Sequence, residues 1–338
     1  MATIKDVAEK SGVSTATVSR VLNGNYPVSK EAKENVMAAI EATGYRPNAV
    51  AKSLRMDKTF MIGMVVPDIS NPYFMEIARG VENIISNYGY TLTFCSTDED
   101  PEKEVKLLKA LNDKRVDFVI LASSLSDPAP LKALMKQGLR MVVVDTILPD
   151  LDVDYVVEDN ENASYQLVDY GLQLGHKKIG IVNGIMDIST AKARFAGYKR
   201  ALRDHDIPYN NRYTVDGGYY RDIAYKNVKT MLQQNLQDLP TLLYATNNQM
   251  TEGAMIAIKE MGLSIPEDIS IVSFGDITLP QLVEPRLTVI QQNSRAIGEK
   301  AGEILMNRLE NTDYTKILDT YVIPSEFIVR ESVRRLKL

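Results

Sequence analysis

The sequence predicts an α/β body, doubly wound and two-lobed, carrying a small all-α head, and three observations lead there. Seven short apolar runs follow residue 60: MIGMVV (61–66), TLTFC (91–95), DFVILA (117–122), RMVVVD (140–145), KIGIV (178–182), TLLYAT (241–246) and ISIVSF (269–274). Helical stretches such as YFMEIARGVENIISNYG and MTEGAMIAIKEMG separate them, and strand–helix alternation is the pattern of buried parallel strands. About 270 residues is generous for one sheet, so two lobes are expected. Before residue 60 no such run occurs; the spacing there is helical throughout.

The head reads as three helices. In TIKDVAEKSG, Ile4, Val7 and Ala8 fall on one face, and Thr3 can cap the start. Ser11-Gly12-Val13 is a turn with glycine where a positive φ is useful. Ser14 can cap a second helix that turns Val18, Val21 and Leu22 inward. Two short helices joined by a three-residue, glycine-containing turn form a helix-turn-helix. The outward set is then Thr15, Ala16, Ser19 and Arg20. Small residues let such a helix seat deeply in a major groove, and arginine reaches guanine or phosphate. A solvated helix face would more often present Glu and Lys. Ser29 can cap a third helix, with Val36, Met37 and Ile40 inward, ending at Gly44. Ser14, Asn23, Asn25 and Tyr45 are candidate phosphate contacts, which fix register without reading sequence. In YRPNAVAKSLRMDKT, Pro47 breaks the third helix and NAVAKSLR suffices for two turns. A helix that short is marginal alone, since ~12–15 residues are usually needed. Either it folds only against something else, with Leu54 covered by a symmetry mate or by DNA, or the stretch is an ordinary linker with a stray Leu.

Composition sets limits. The net charge is −5, yet residues 1 to 60 hold nine Lys and Arg against six Asp and Glu, a net of +3 that leaves −8 for the remainder. A basic head on an acidic body suits a protein whose head alone meets phosphates. No run of eighteen apolar residues and no secretory leader are read, and Cys95 is alone, so a cytoplasmic location is expected. His176 and His205 lie apart from Cys95 in sequence, and no nucleophile elbow, phosphate loop or metal-spaced cluster is found. Neither an enzyme nor a cofactor is expected.

The stretch TIKDVAEKSGVSTATVSRVLNG and the RPNAVAKSLR that follows closely resemble the lactose/galactose-repressor family of bacterial regulators. IGMVVPDISNPYF, LGHKKIGIV, RFAGY, GAMIAIKEMGLSIPEDISIVSFGD and EPRLTVIQQ resemble landmarks of that family along the whole chain. The resemblance implies a headpiece (1–46), a hinge helix and linker (47–59) whose Ala51 and Leu54 meet the minor groove, and a core like the periplasmic sugar-binding proteins. It also implies three crossings between lobes, giving 60–159 with 291–319 and 160–290 with 320–338. A homodimer on a palindromic operator, released by a small carbohydrate-type effector, is the implied function. The alternatives are a corepressor, small molecule or protein, that strengthens DNA binding, and, more remotely, a solute-binding protein without DNA function. VRRLKL carries no leucine heptad, so a dimer and not a coiled-coil tetramer is expected.

Ligands of open α/β sheets sit beyond the carboxyl ends of strands. Those ends deliver Asp68, Asn71, Tyr73 and Phe74, then Asp145, Asn247 and Asn248, and Gly275 and Asp276. The resemblance adds Arg194 and Gln292 as effector contacts, with Lys192 nearby. Two departures stand out: Asn247-Asn248 replaces the family's Asn-Asp, and Gly275 takes the place of an Asp, with Asp276 one position on. Two fewer carboxylates beside Arg194 favour an anionic effector, a sugar acid or sugar phosphate, over a neutral sugar.

Overall fold

The computed structural model describes residues 2–23, 27–45, 58–310 and 318–336. The chain divides into two compact units, Met1–Thr59 and Phe60–Leu338.

In the first unit, α1 (Ile4–Ser11) opens with a capping box between Thr3 and Asp6 and closes on Gly12, whose φ is 69°. Ser14 Oγ accepts the Thr17 amide at 3.1 Å and so caps α2 (Thr15–Asn23). Ser29 caps α3 (Lys30–Thr43), which ends at Gly44 in the left-handed region. Val7, Ala8, Val18, Val36 and Ala39 form the buried centre, and Ile4, Val13, Val21, Leu22, Ile40 and Tyr45 pack around it. Met37 departs from the expectation: it is 54% exposed while Ala39 is buried. One residue past Val36 is about 100° round the helix, off the stripe that Val36, Ala39 and Ile40 share.

The second unit contains two six-stranded sheets. The first has the order β11-β5-β4-β3-β1-β2 and the second β12-β10-β9-β8-β6-β7. The strands are β1 (Met61–Val66), β2 (Thr91–Ser96), β3 (Phe118–Leu121), β4 (Met141–Val144), β5 (Asp154–Val157), β6 (Ile179–Asn183), β7 (Thr214–Asp216), β8 (Leu242–Ala245), β9 (Ser270–Phe274), β10 (Thr288–Gln291), β11 (Thr320–Val322) and β12 (Glu326–Ile328). Every pairing is parallel except β10 with β12. Each sheet is covered on both faces. In the first lobe α4 (Pro72–Ile85) and α11 (Ser294–Glu310) pack on Ile62, Met64 and Val66, and α5 (Pro101–Asp113) and α6 (Ala129–Lys136) on Val65, Val119 and Leu121. In the second, α7 (Asn160–Gln173) and α8 (Ser189–Asp204) cover one face, and α9 (Arg221–Gln234) and α10 (Asn248–Glu260) the other. Double coverage explains why the strands read as unbroken apolar runs.

The chain crosses between lobes at 158–159, at 292–293 and at 323–325, as the strands on either side show. The third crossing corrects the expected boundary at 320. β11 stays in the first lobe, pairing along β5, and the Ile323 amide still bonds to the Val157 carbonyl at 2.7 Å. A three-residue strand that is half exposed leaves no apolar run to read.

Helices α4 and α11 touch backbone to backbone. A Cβ on Gly298 would lie 1.9 Å from the Ile77 carbonyl oxygen. Gly298→Ala must therefore push the two helices apart, and a thermal melt should show a loss of ~1–3 kcal/mol or more, the usual cost of overpacking.

Candidate functional site

On the head, Ser14, Thr15, Ala16 and Arg20 are exposed and Ser19 is half-buried, while Val18 between them is fully buried. The register read from the sequence thus puts a small, polar, arginine-bearing face outward. Tyr45 packs partly against the head's apolar centre. Asn23 ends α2, and Asn25, Ala51 and Leu54 lie outside the described residues.

In the second unit, a cleft of about 580 Å³ including its mouth lies beyond the carboxyl ends of β1, β4 and β8. Nine of the expected residues line it: Asp68, Asn71, Tyr73, Phe74, Asp145, Arg194, Asn247, Asn248 and Gln292. Asn71 caps α4 and Asn247 caps α10, so helix starts set both amides at the rim. The Tyr73 and Phe74 rings meet edge-on with centroids 5.1 Å apart. Tyr73 donates to Asp145 Oδ1 at 2.8 Å, and Asp145 itself adopts φ 66°.

Arg194 is buried on α8. Its Nε donates to Asn160 Oδ1 at 2.8 Å and one terminal nitrogen, Nη1, to the Thr246 carbonyl at 2.6 Å. The guanidinium also lies over the Phe274 ring, 3.8 Å from its centroid. Among the described residues its Nη2 has no partner, which leaves donors for a guest.

The lobes are tied across the cleft. Asn71 and Asn248 exchange amide bonds, at 3.3 and 2.9 Å. Gln249 donates to Asp68 at 2.8 Å, and the Ile147 amide to Ser189 at the same distance. At the crossings, Glu158 accepts from Gln292 Nε2 at 2.6 Å and from the Asn293 amide at 3.3 Å. Two crossing segments thus share one carboxyl.

Three expected residues fall elsewhere. Lys192 is exposed and does not line the cleft. Asp276 is turned into a buried pair with Arg330, at 2.7 Å, because that arginine reaches it from the strand-end after β12. Gly275, with φ 85°, sits in a neighbouring depression with Asp276. Conversely, the cleft holds Glu99, Ser123, Thr146, Thr190, Tyr219 and Tyr220, which the sequence reading missed. Strand ends point to the first loop residues only. Glu99 and Tyr219 lie further along, each with a positive φ.

Burial pushes the carboxyls of Glu99 and Glu158 up to about 7, and that of Asp145 also rises, against the pull of Arg194. A carboxyl held neutral in the folded chain stabilises it below the ordinary pKa of 4.5, and that stability is lost as pH rises through 7. Glu158 alone contributes up to ~3 kcal/mol by this route. Glu158→Gln should therefore flatten the fall in Tm between pH 5 and 8; an unchanged slope would mean that Glu158 is already ionised in the folded protein.

Two family models divide the chain between them. Residues 3–48 match "Bacterial regulatory proteins, lacI family", and residues 59–331 match "Periplasmic binding proteins and sugar binding domain of LacI family". The chain belongs to the lacI family. This lacI-family protein is 36% identical to the HTH-type transcriptional repressor PurR of Aliivibrio salmonicida, over 99% of this chain and 100% of that one. It is equally identical to the ribose operon repressor of Halalkalibacterium halodurans, over 99% and 98% of the two chains. Its structure is similar to the lac repressor dimer bound to operator and the anti-inducer ONPF, with a TM-score of 0.85, 25% identity and coverage of 98% and 99%. The lacI-family protein is a DNA-binding transcriptional repressor, not an enzyme. No helix among its described residues is long and apolar enough to cross a membrane.

Proposed function

We propose that this repressor binds an approximately palindromic operator as a homodimer in the cytoplasm, on the nucleoid, and that a small polyhydroxylated effector in the cleft releases it to express carbohydrate-utilisation genes. The observation that carries the effector reading is the cleft lining. The Tyr73–Phe74 ring pair offers a face for a sugar ring, and Asn71, Asn247, Asn248, Gln292 and Arg194 offer donors and acceptors for hydroxyls. The expected sugar acid or sugar phosphate gives way to a ligand without an anionic group. Asp68, Glu99 and Asp145 line the same space and Glu158 stands behind Gln292, so four carboxyls outnumber one guanidinium and, where ionised, repel an anion.

Two-fold symmetry supports the operator form, since paired heads read paired half-sites. Ile223 on α9, Ile256 on α10, and Leu279 and Leu282 in the loop after β9 are exposed apolar residues of the second lobe, which a second copy would cover. Residues 47–59, with Ala51 and Leu54, are the hinge read from the sequence. An effector that alters how the lobes close shifts the first lobes of the two copies against each other and so the hinges, a coupling of typically ~1–3 kcal/mol. A corepressor would reverse its sign.

Selection of bound duplexes from a random pool by the full chain, followed by challenge with neutral sugars, tests this reading. The expected outcome is an inverted repeat released by at least one sugar. A single unrepeated half-site would contradict the dimer, and tighter binding with sugar would favour the corepressor.

A further inference from the structure

The carboxyl of Glu99 stands out in the cleft because, among the described residues, no cation is paired with it. Thr97 and Asp98 bond by their amides to the carbonyls of Val66 and Pro67, and Asp98 is held by Lys103. Both Asp98 and Glu99 adopt left-handed backbone, φ 55° and 56°. For residues other than glycine such a conformation costs about 1–3 kcal/mol and persists where the surroundings impose it. The loop between β2 and α5 thus turns Asp98 to solvent and Glu99 into the cleft.

Its neighbours are acidic or neutral. Asp68 comes from the loop after β1, Asp145 from the end of β4, Glu104 from α5, and Tyr219 and Tyr220 from the loop before α9. The other carboxyls of this region are better satisfied. Glu104 accepts from Ser123 Oγ and the Ser124 amide, both at 2.6 Å. Asp145 has Tyr73 and the field of Arg194, and Glu158 has Gln292 and Asn293. Glu99 accepts from Ser124 Oγ at 3.1 Å, and among the described residues it forms no ion pair. Lys103 is engaged with Asp98, and Arg194 with Asn160, Thr246 and Phe274.

A carboxyl that lines a binding cleft and lacks a counter-charge is completed by a proton or by its ligand. From this geometry we infer that the effector carries a basic nitrogen seated against Glu99, as an amino sugar does. The inference rests on the polyol reading above. An ammonium group supplies the charge and three donors, and the rings of Tyr219 and Tyr220 beside it favour a cation.

Calorimetric titration of the full chain at pH 7.5 with glucose and glucosamine, galactose and galactosamine, and mannose and mannosamine tests it. The amino member of at least one pair should bind ten-fold or more tightly than its parent, and Glu99→Gln should bring that ratio close to one. Preference for a parent sugar, or a ratio that survives Glu99→Gln, overturns this inference and leaves the polyol reading standing. Failure of all six to bind overturns both. Ligand-free melts at pH 8 give an independent check: Glu99→Gln should raise Tm by relieving repulsion from Asp68 and Asp145, whereas a fall would mark Glu99 as a structural support only.

Discussion

Arg194→Met is expected to weaken effector binding by two orders of magnitude or more while leaving operator binding intact. The side chain is 4% exposed and holds together three parts of the second lobe: α7 through Asn160, the end of β8 through Thr246, and Phe274 at the end of β9. Methionine keeps much of the volume but donates nothing. It leaves the Asn160 oxygen and the Thr246 carbonyl unpaired, each at ~1–3 kcal/mol, and removes the donors available to a guest. The loss should therefore appear twice, as a lower Tm and as lost effector affinity measured below the new melting range. The head folds around its own apolar centre, so DNA binding should survive. An effector Kd within about three-fold of wild type would reduce Arg194 to a structural brace.

Arg20→Ala should erase most discrimination between operator and random duplex. Arg20 stands at the exposed face of α2 beside Ala16 and half-buried Ser19, with Val18 anchoring the opposite side. A bidentate contact to guanine discriminates by ~1–3 kcal/mol. Two heads in a dimer double that. Parallel titrations of operator and scrambled duplex at fixed salt would separate the cases: loss confined to the operator marks base reading, and equal loss on both marks a phosphate contact.

The head was almost fully legible, because caps, turns and apolar stripes are local. Thr3, Gly12, Ser14, Ser29 and Gly44 stand where the sequence placed them. Met37 was misread since three apolar residues within five positions do not say which two share a face. In the body seven strands were legible from their apolar runs, whereas β5, β7, β10, β11 and β12 were missed, each being three or four residues long with at least one polar residue among them. The cleft was read as far as strand ends reach, which gave Asn71, Tyr73, Asp145 and Asn247. Glu99 and Tyr219 escaped because a left-handed backbone at a non-glycine residue is imposed by tertiary packing. Asp276 was misassigned for a related reason: its partner Arg330 arrives from the far end of the chain. Counting carboxylates by motif likewise missed Glu99, which a loop delivers, and Glu158 at a crossing, the two on which the proposal of a ligand without an anionic group leans.

The central claim is that one small molecule in the cleft and one duplex on the head compete through the protein that joins them. Effector affinity of the full chain should be measured with and without saturating operator, and operator affinity with and without saturating effector. The account predicts that both ratios depart from one, in the weakening direction, and by the same factor, roughly 5–150-fold. Ratios of one in both titrations would show head and cleft to be independent, and would contradict the account.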